Sequence, residues 1–192
     1  MAGNLLKNKH LEFSKMDSPL VLSHVIHRNP APEFCTAMNH RSLLTRGSLC
    51  GIVALRSLMP NLVAYVDGGS HGSPGPSGIG VVIEHPDGDK LRISKPIGRQ
   101  DNNVAEYVAL LEALQHAVAV HARALHVYSD SEIVVRQMNG QYACRSPRLY
   151  SLNWTCRKLA RALEFSIAHI SREQNVEANE LANHAARSRP TE

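Results

Sequence analysis

The sequence predicts an α/β fold, a five-stranded mixed sheet with three antiparallel strands followed by parallel ones and helices on its flanks. Three observations carry that prediction. Short apolar runs alternate with segments of helical period in the order β-β-β-α-β-α-α-β-α from residue 61 onward. Glycine- and proline-rich stretches punctuate the runs at the right spacing for turns. The chain has 192 residues and is 43% hydrophobic, enough to bury one sizeable core but not two.

The elements follow in order. NLVAYVD (61–67) is an apolar run ending on an acid, and GGSHGSPGPSG (68–78) reads as a turn-rich loop. GIGVVIEH, the PDGD turn and KLRISKPI form a hairpin. NNVAEYVALLEALQHAVAVH is a helix with one stripe of Val104, Tyr107, Val108, Leu111 and Leu114. ALHVYSD (124–130) is a fourth strand, again ending on an acid, and SEIVVRQMNG is a short helix closed by Gly140. Pro147 opens a helix to about Leu163, EFSIAHI is the last strand, and VEANELANHAARS is the closing helix. The single Trp154 is expected in the core.

Charge and cysteine content narrow the function classes. The formal net charge of +4 divides unevenly: residues 1–60 hold seven Lys and Arg against three acids, and residues 61–192 hold fourteen against fourteen. The domain is formally neutral, so overall basicity is no argument for a polyanionic partner. Cys35, Cys50, Cys144 and Cys156 show no zinc spacing and read as reduced thiols of a cytoplasmic protein. No apolar run approaches the roughly 20 residues that span a bilayer, so no membrane association is expected. Residues 1–58 lack periodicity and read as a disordered leader or an over-called start before Met59, with an organelle transit peptide as the alternative. Residues 59–188 are the expected domain, and 189–192 a short tail.

The chemistry lies in three acids. Asp67 and Asp130 end predicted strands, at the sheet edge where open α/β sheets bind ligands. Glu106 lies in the first turns of its helix, in register with Leu110, Ala113 and Ala117 on a second apolar flank, where a carboxylate is costly unless paired or metal-bound. Each alone has a plainer reading, Asp130 as a helix cap among them. Three converging carboxylates, however, repel unless cations lie between them, and oxygen-only ligands suit Mg²⁺ or Mn²⁺.

YVDGGS, NNVAEY, YSDSEIVVRQMNG and HISREQNVEANELAN, in that order over about 120 residues, closely resemble type 1 ribonuclease H, in the subtype without a Lys-rich basic protrusion. The resemblance covers residues 61–188 and none of the leader. It implies a ribonuclease H-like fold and an endonuclease that cuts the RNA strand of RNA/DNA hybrids with two divalent metals, Mg²⁺ or alternatively Mn²⁺. Carried over by motif, Asp67, Glu106 and Asp130 are three of four metal positions. The fourth, an Asp in an AD-x-LA motif, is Asn179 here, in Ala178-Asn179-Glu180-Leu181-Ala182. An Asn keeps a coordinating carbonyl but supplies no charge. Glu177 and Glu180 flank it as possible compensation, although Glu180 lies about 100° around the helix.

The resemblance also implies substrate roles. Asn102 and Asn103 match an Asn pair that meets nucleic-acid backbone and base edges, with an N-cap as the plainer role. Gly68, Gly69 and Ser70 let backbone approach ribose, and Ser131 and Glu132 take neighbouring positions. Arg172 or His169 is the helper that moves protons or supplies charge, with Arg172 favoured by the SREQN phrasing. Arg145, Arg148, Arg157 and Lys158 are candidate backbone contacts. A monomer without an obligatory protein partner is the simplest expectation. The alternatives are a catalytically weakened hybrid-binding protein, or another nuclease of the same fold.

Overall fold

The computed structural model describes residues 59–188. The expectations for residues 1–58, for Cys35 and Cys50, and for the tail 189–192 lie outside them. The element order is as the sequence predicts: β1 (Asn61–Ser70), β2 (Gly75–Glu84), β3 (Lys90–Gln100), α1 (Asn102–Ala119), β4 (Ala124–Ser129), α2 (Glu132–Met138), α3 (Pro147–Ala160), β5 (Glu164–His169) and α4 (Val176–Arg187). A single 3-10 turn, Arg172–Gln174, precedes α4. The five strands run β3-β2-β1-β4-β5. β1, β2 and β3 pair antiparallel, and β4 and β5 join parallel to β1.

Strand alternation divides the sheet into two unlike faces. Leu62, Ala64 and Val66 of β1 and Ile79, Val81 and Ile83 of β2 point to the face where α1 packs, and form the core with Leu110, Leu114, Leu125 and Val127. α4 covers the opposite face over β1 to β3. It approaches closely because Gly80 has no side chain: a Cβ there would lie 1.9 Å from the Ala178 carbonyl oxygen. Ala178, Ala182, Ala185 and Ala186 complete the helix's buried side. Small residues on both partners bring helix and strand backbones together, which sets the depth of Asn179 against β1.

Local differences from the sequence reading have tertiary causes. The stretch 68–78, expected as a loop, is mostly paired strand, with a turn only at 71–74. Ladder hydrogen bonds and helix contact override the weak strand propensity of its glycines. In α1 the deeply buried side is the flank of Glu106, Leu110, Ala113 and Ala117 together with Tyr107 and Leu114, while Val104, Val108 and Leu111 are only half-buried. α3 ends at Ala160 rather than Leu163. Trp154, expected in the core, is 56% exposed. The inward position on α3 is taken by Asn153, whose Nδ2 donates to the buried Tyr107 hydroxyl. Among the described residues, no helix is long and apolar enough to cross a membrane.

Candidate metal centre

Three elements deliver one acid each to the carboxyl end of the central strands. Asp67 stands near the end of β1, Glu106 in the first turns of α1, and Asp130 directly after β4. One carboxylate oxygen from each lies within 4.8 Å of the others. Asp67 and Glu106 are 4% and 6% exposed. Gly68 makes this convergence possible: a Cβ there would sit 2.2 Å from the Ala105 carbonyl carbon and the Glu106 nitrogen, so any other residue would push α1 off the strand. The Gly68 N–H, freed at that crossing, donates to Glu106 Oε2 at 3.2 Å, and Asn102 Nδ2 reaches Glu106 Oε1 at 3.4 Å.

The electrostatics show how poorly three carboxylates coexist. Burial, and then the neighbouring Asp130, push the Asp67 carboxyl up to about 6, against partial relief from the Arg172 charge and the Asn179 hydrogen bond. Burial holds Glu106 well above its ordinary range, with Asp67 and Asp130 adding to the shift. Such a cluster binds protons or cations readily, since either removes like-charge repulsion. Its donors are hard oxygens at close spacing, which fits Mg²⁺ or Mn²⁺.

Asn179 takes its expected place at this edge, with a specific orientation. Its Nδ2 donates to Asp67 Oδ2 at 3.1 Å, and its Oδ1 accepts from Asn183 Nδ2 at 2.9 Å. The amide thus presents its donor end to the acids, the favourable choice beside a bare carboxylate. Rotating the amide would bring Oδ1 to the acids, at the expense of the Asn183 contact. The flanking acids do not stand in for the missing charge. Glu177 pairs with Arg92 of β3 at 2.6 Å, and Glu180 is exposed.

Two residues at the site escaped the sequence reading. Asn175 is 1% exposed, and its Nδ2 donates both to the Val66 carbonyl at 3.0 Å and to Asp130 Oδ1 at 2.9 Å, tying the start of α4 to two acid-bearing strands. Asn183 holds the Asn179 amide from one turn further along, through both Oδ1 and the Asn179 carbonyl. The only sequence signal was position: an Asn just before α4, and a second Asn four residues after Asn179.

The remaining predicted site residues divide into those facing the centre and those engaged elsewhere. Arg172, in the 3-10 turn, acts electrostatically on Asp67, whereas His169 ends β5 exposed, opposite Ser129. Asn102 and Asn103 are exposed first residues of α1, and its N-cap is Asp101 rather than either Asn. Asp101 pairs with Arg148 at 2.6 Å. The Ser70 hydroxyl is taken up by the Gly72 and Gln100 carbonyls, so it braces the 71–74 turn. A Cβ at Gly69 would meet only ordinary van der Waals contact with Ala182 and Asn183. Ser131, not Asp130, is the N-cap of α2, and Glu132 forms a surface ion pair with Arg136. Arg157 donates to the Gln137 carbonyl.

Comparison with known proteins agrees with this architecture. The family described as reverse transcriptase-like matches residues 65–185. The bifunctional protein Rv2228c of Mycobacterium tuberculosis is 37% identical over 127 residues, 65% of this chain and 35% of that protein. Ribonuclease HI of Halobacterium salinarum is 36% identical over 124 residues, 64% of this chain and 62% of that protein. The chain therefore spans about a third to three-fifths of the length of these relatives. The crystal structure of LC11-RNase H1 in complex with an RNA/DNA hybrid superposes with a TM-score of 0.60 at 37% identity, covering 66% of this chain and 96% of that one. With the mixed sheet, the acidic edge and these matches together, the chain belongs to the reverse transcriptase-like family and carries a ribonuclease H-like domain.

Proposed function

We propose that the protein is an endoribonuclease that hydrolyses the RNA strand of RNA/DNA hybrids, with divalent metal ions held by Asp67, Glu106, Asp130 and Asn179. The convergence of three carboxylate oxygens within 4.8 Å at the ligand-binding edge of the sheet carries this reading. Relatives of about 36% identity that bear the name ribonuclease H point the same way. Mg²⁺ is the expected ion and Mn²⁺ the alternative; bound there, a pair of ions supplies an activated water and offsets charge on the leaving oxygen.

The chain's own residues do the rest. The carboxylates fix the position of the scissile phosphate by fixing the cations, and their burial keeps bulk water from screening the charges. Glu106, held by Gly68 and Asn102, accepts a hydrogen bond from the ribose 2′-hydroxyl, a group that DNA lacks. Asn102 and Asn103 present side chains and helix-start amides to the minor groove. Arg172, whose charge offsets part of the upward shift at Asp67, supplies positive charge beside the phosphate, with His169 as the alternative helper. In the proposed cycle Asn179 contributes a neutral oxygen, so metal affinity is weaker than with four acids.

Cleavage of an end-labelled RNA/DNA hybrid with Mg²⁺ and with Mn²⁺, against single-stranded RNA and duplex DNA, tests this. Internal cuts confined to the RNA of the hybrid are expected, and none with either ion would contradict the reading. One observation favours a second reading, a hybrid-binding protein of weakened catalysis: the position beside Asp67 is held by the uncharged Asn179. Tight hybrid binding without cleavage would establish it.

A further inference from the structure

Charge is spread unevenly along the formally neutral domain. Residues 133–163 contain Arg136, Arg145, Arg148, Arg157, Lys158 and Arg161 and no acid, leaving eight cations against fourteen acids over the rest of residues 61–192. The aromatic residues follow the same division. Among the described residues, the exposed large aromatics are Tyr142, Tyr150 and Trp154, at 47%, 63% and 56%, and all lie in this segment. Two carry a cation against the ring: Arg136 lies 5.0 Å from the Tyr142 centroid and Lys158 5.2 Å from that of Trp154.

On α3, Tyr150, Trp154 and Lys158 recur at i, i+4 and i+8 and form one outward ridge. The buried side of the helix is Leu149, Asn153 and Cys156, facing α1, so the ridge is not needed for folding. Exposed aromatic rings cost hydration free energy, and three of them confined to an acid-free basic segment match a ligand with flat apolar faces and negative charge. Tyr150 and Trp154 are about 6 Å apart along the helix axis, on the order of two phosphate spacings of ~3.4 Å along one strand. A base pair hides its faces within the stack, whereas a single strand offers them. The first turn of α3 lies against the start of α1, where Arg148 pairs with Asp101 at 2.6 Å.

We propose that this ridge is a second nucleic-acid site, which binds single-stranded nucleic acid by stacking bases on Tyr150 and Trp154 while Lys158 meets phosphate. It needs no metal and does not rest on the nuclease reading. Trp154 is the only tryptophan in the chain, so its fluorescence reports the site directly. The full chain is titrated in EDTA with oligo-dT and, separately, with a blunt RNA/DNA hybrid, and anisotropy of labelled oligo-dT gives affinities of variants. Saturable quenching by oligo-dT is expected, weaker with the hybrid and weaker as salt rises. Trp154→Ala and Tyr150→Ser should each lower oligo-dT affinity roughly tenfold, Trp154→Phe should retain most of it, and Lys158→Ala should reduce the salt slope by about 0.7. Unchanged Trp154 emission with oligo-dT, quenching at least as strong by the blunt hybrid, or affinity indifferent to Trp154→Ala and Tyr150→Ser would each overturn the proposal.

Discussion

Glu106 and Tyr107 are neighbours on α1, both buried and both polar, yet their surroundings are opposite in kind. The Tyr107 hydroxyl donates to Gln137 Oε1 at 2.7 Å and accepts from Asn153 Nδ2 at 2.9 Å. Burial, only partly offset by Asn153, pushes this phenol up to about 12, so it remains a neutral hydrogen-bonding group. Glu106 meets one N–H, one distant amide and two like charges. The first cluster is satisfied and joins α1, α2 and α3; the second is frustrated and lies at the carboxyl end of the central strands. A buried polar group without full compensation is retained where it serves a function, and the contrast across one peptide bond marks where stability ends and chemistry begins.

Breaking the frustrated cluster should have the largest effect. Asp67→Asn is expected to lower hybrid cleavage on the order of 10³-fold, because metal-ion stabilisation is worth several kcal/mol. The same change should stabilise the metal-free fold. Asp67 binds its proton more tightly in the folded state, at about 6 against an ordinary 3.8, so its contribution to stability is lost as pH rises between those values. At pH 7 that amounts to at most about 3 kcal/mol, which the neutral amide would recover. Calorimetry across that pH range checks the sign. Cleavage should fall as pH drops through the same window, and its acid midpoint should shift down as Mg²⁺ rises, since the cation competes with the proton.

Disturbing the satisfied cluster should do the reverse. Tyr107→Phe removes a hydroxyl that Asn153 and Gln137 both use, and should cost about 1–3 kcal/mol of stability with little change in the metal dependence of cleavage; chemical denaturation and a Mg²⁺ titration of activity separate the two. Asn175→Ala lies between the clusters in kind. It strips Asp130 and the Val66 carbonyl of a donor, so both stability and metal affinity should fall, the latter about tenfold or more. Asn179→Asp should lower the Mg²⁺ midpoint about tenfold by restoring a charge at the fourth position. Asn183→Ala should have the smallest effect: it frees the Asn179 amide to rotate, lowering the Mg²⁺ midpoint a few-fold without altering net charge.

The same contrast explains what could be read from the sequence. The order of strands and helices along the chain follows from periodicity, because α1 and α4 each bury a regular side against an alternating strand face. Asp67, Glu106 and Asp130 were legible because each stands at a fixed place in its element, two at strand ends and one on an apolar flank. Asn175 and Asn183 were not, since each acts through another residue's atoms, and a short polar side chain at a helix start looks like a cap wherever it points. The glycines of 68–78 misled for a related reason: Gly68 is required by the α1 backbone pressed against it, a demand that appears only once the helix is in place. Trp154, expected in the core, lies exposed, and the inward position on α3 is held by Asn153, which supplies an amide to Tyr107.

On the proposed function, the buried Asp67 and Glu106 and the half-buried Asp130 form a cation site held at an electrostatic cost. The most direct test is the thermal midpoint of the full chain and of Asp67→Asn at pH 7, in EDTA and over a Mg²⁺ series. The variant should melt higher in EDTA, and Mg²⁺ should raise the wild-type midpoint in a saturable way while leaving the variant nearly unmoved. A wild type as stable as the variant in EDTA, or an equal Mg²⁺ response in both, would contradict it.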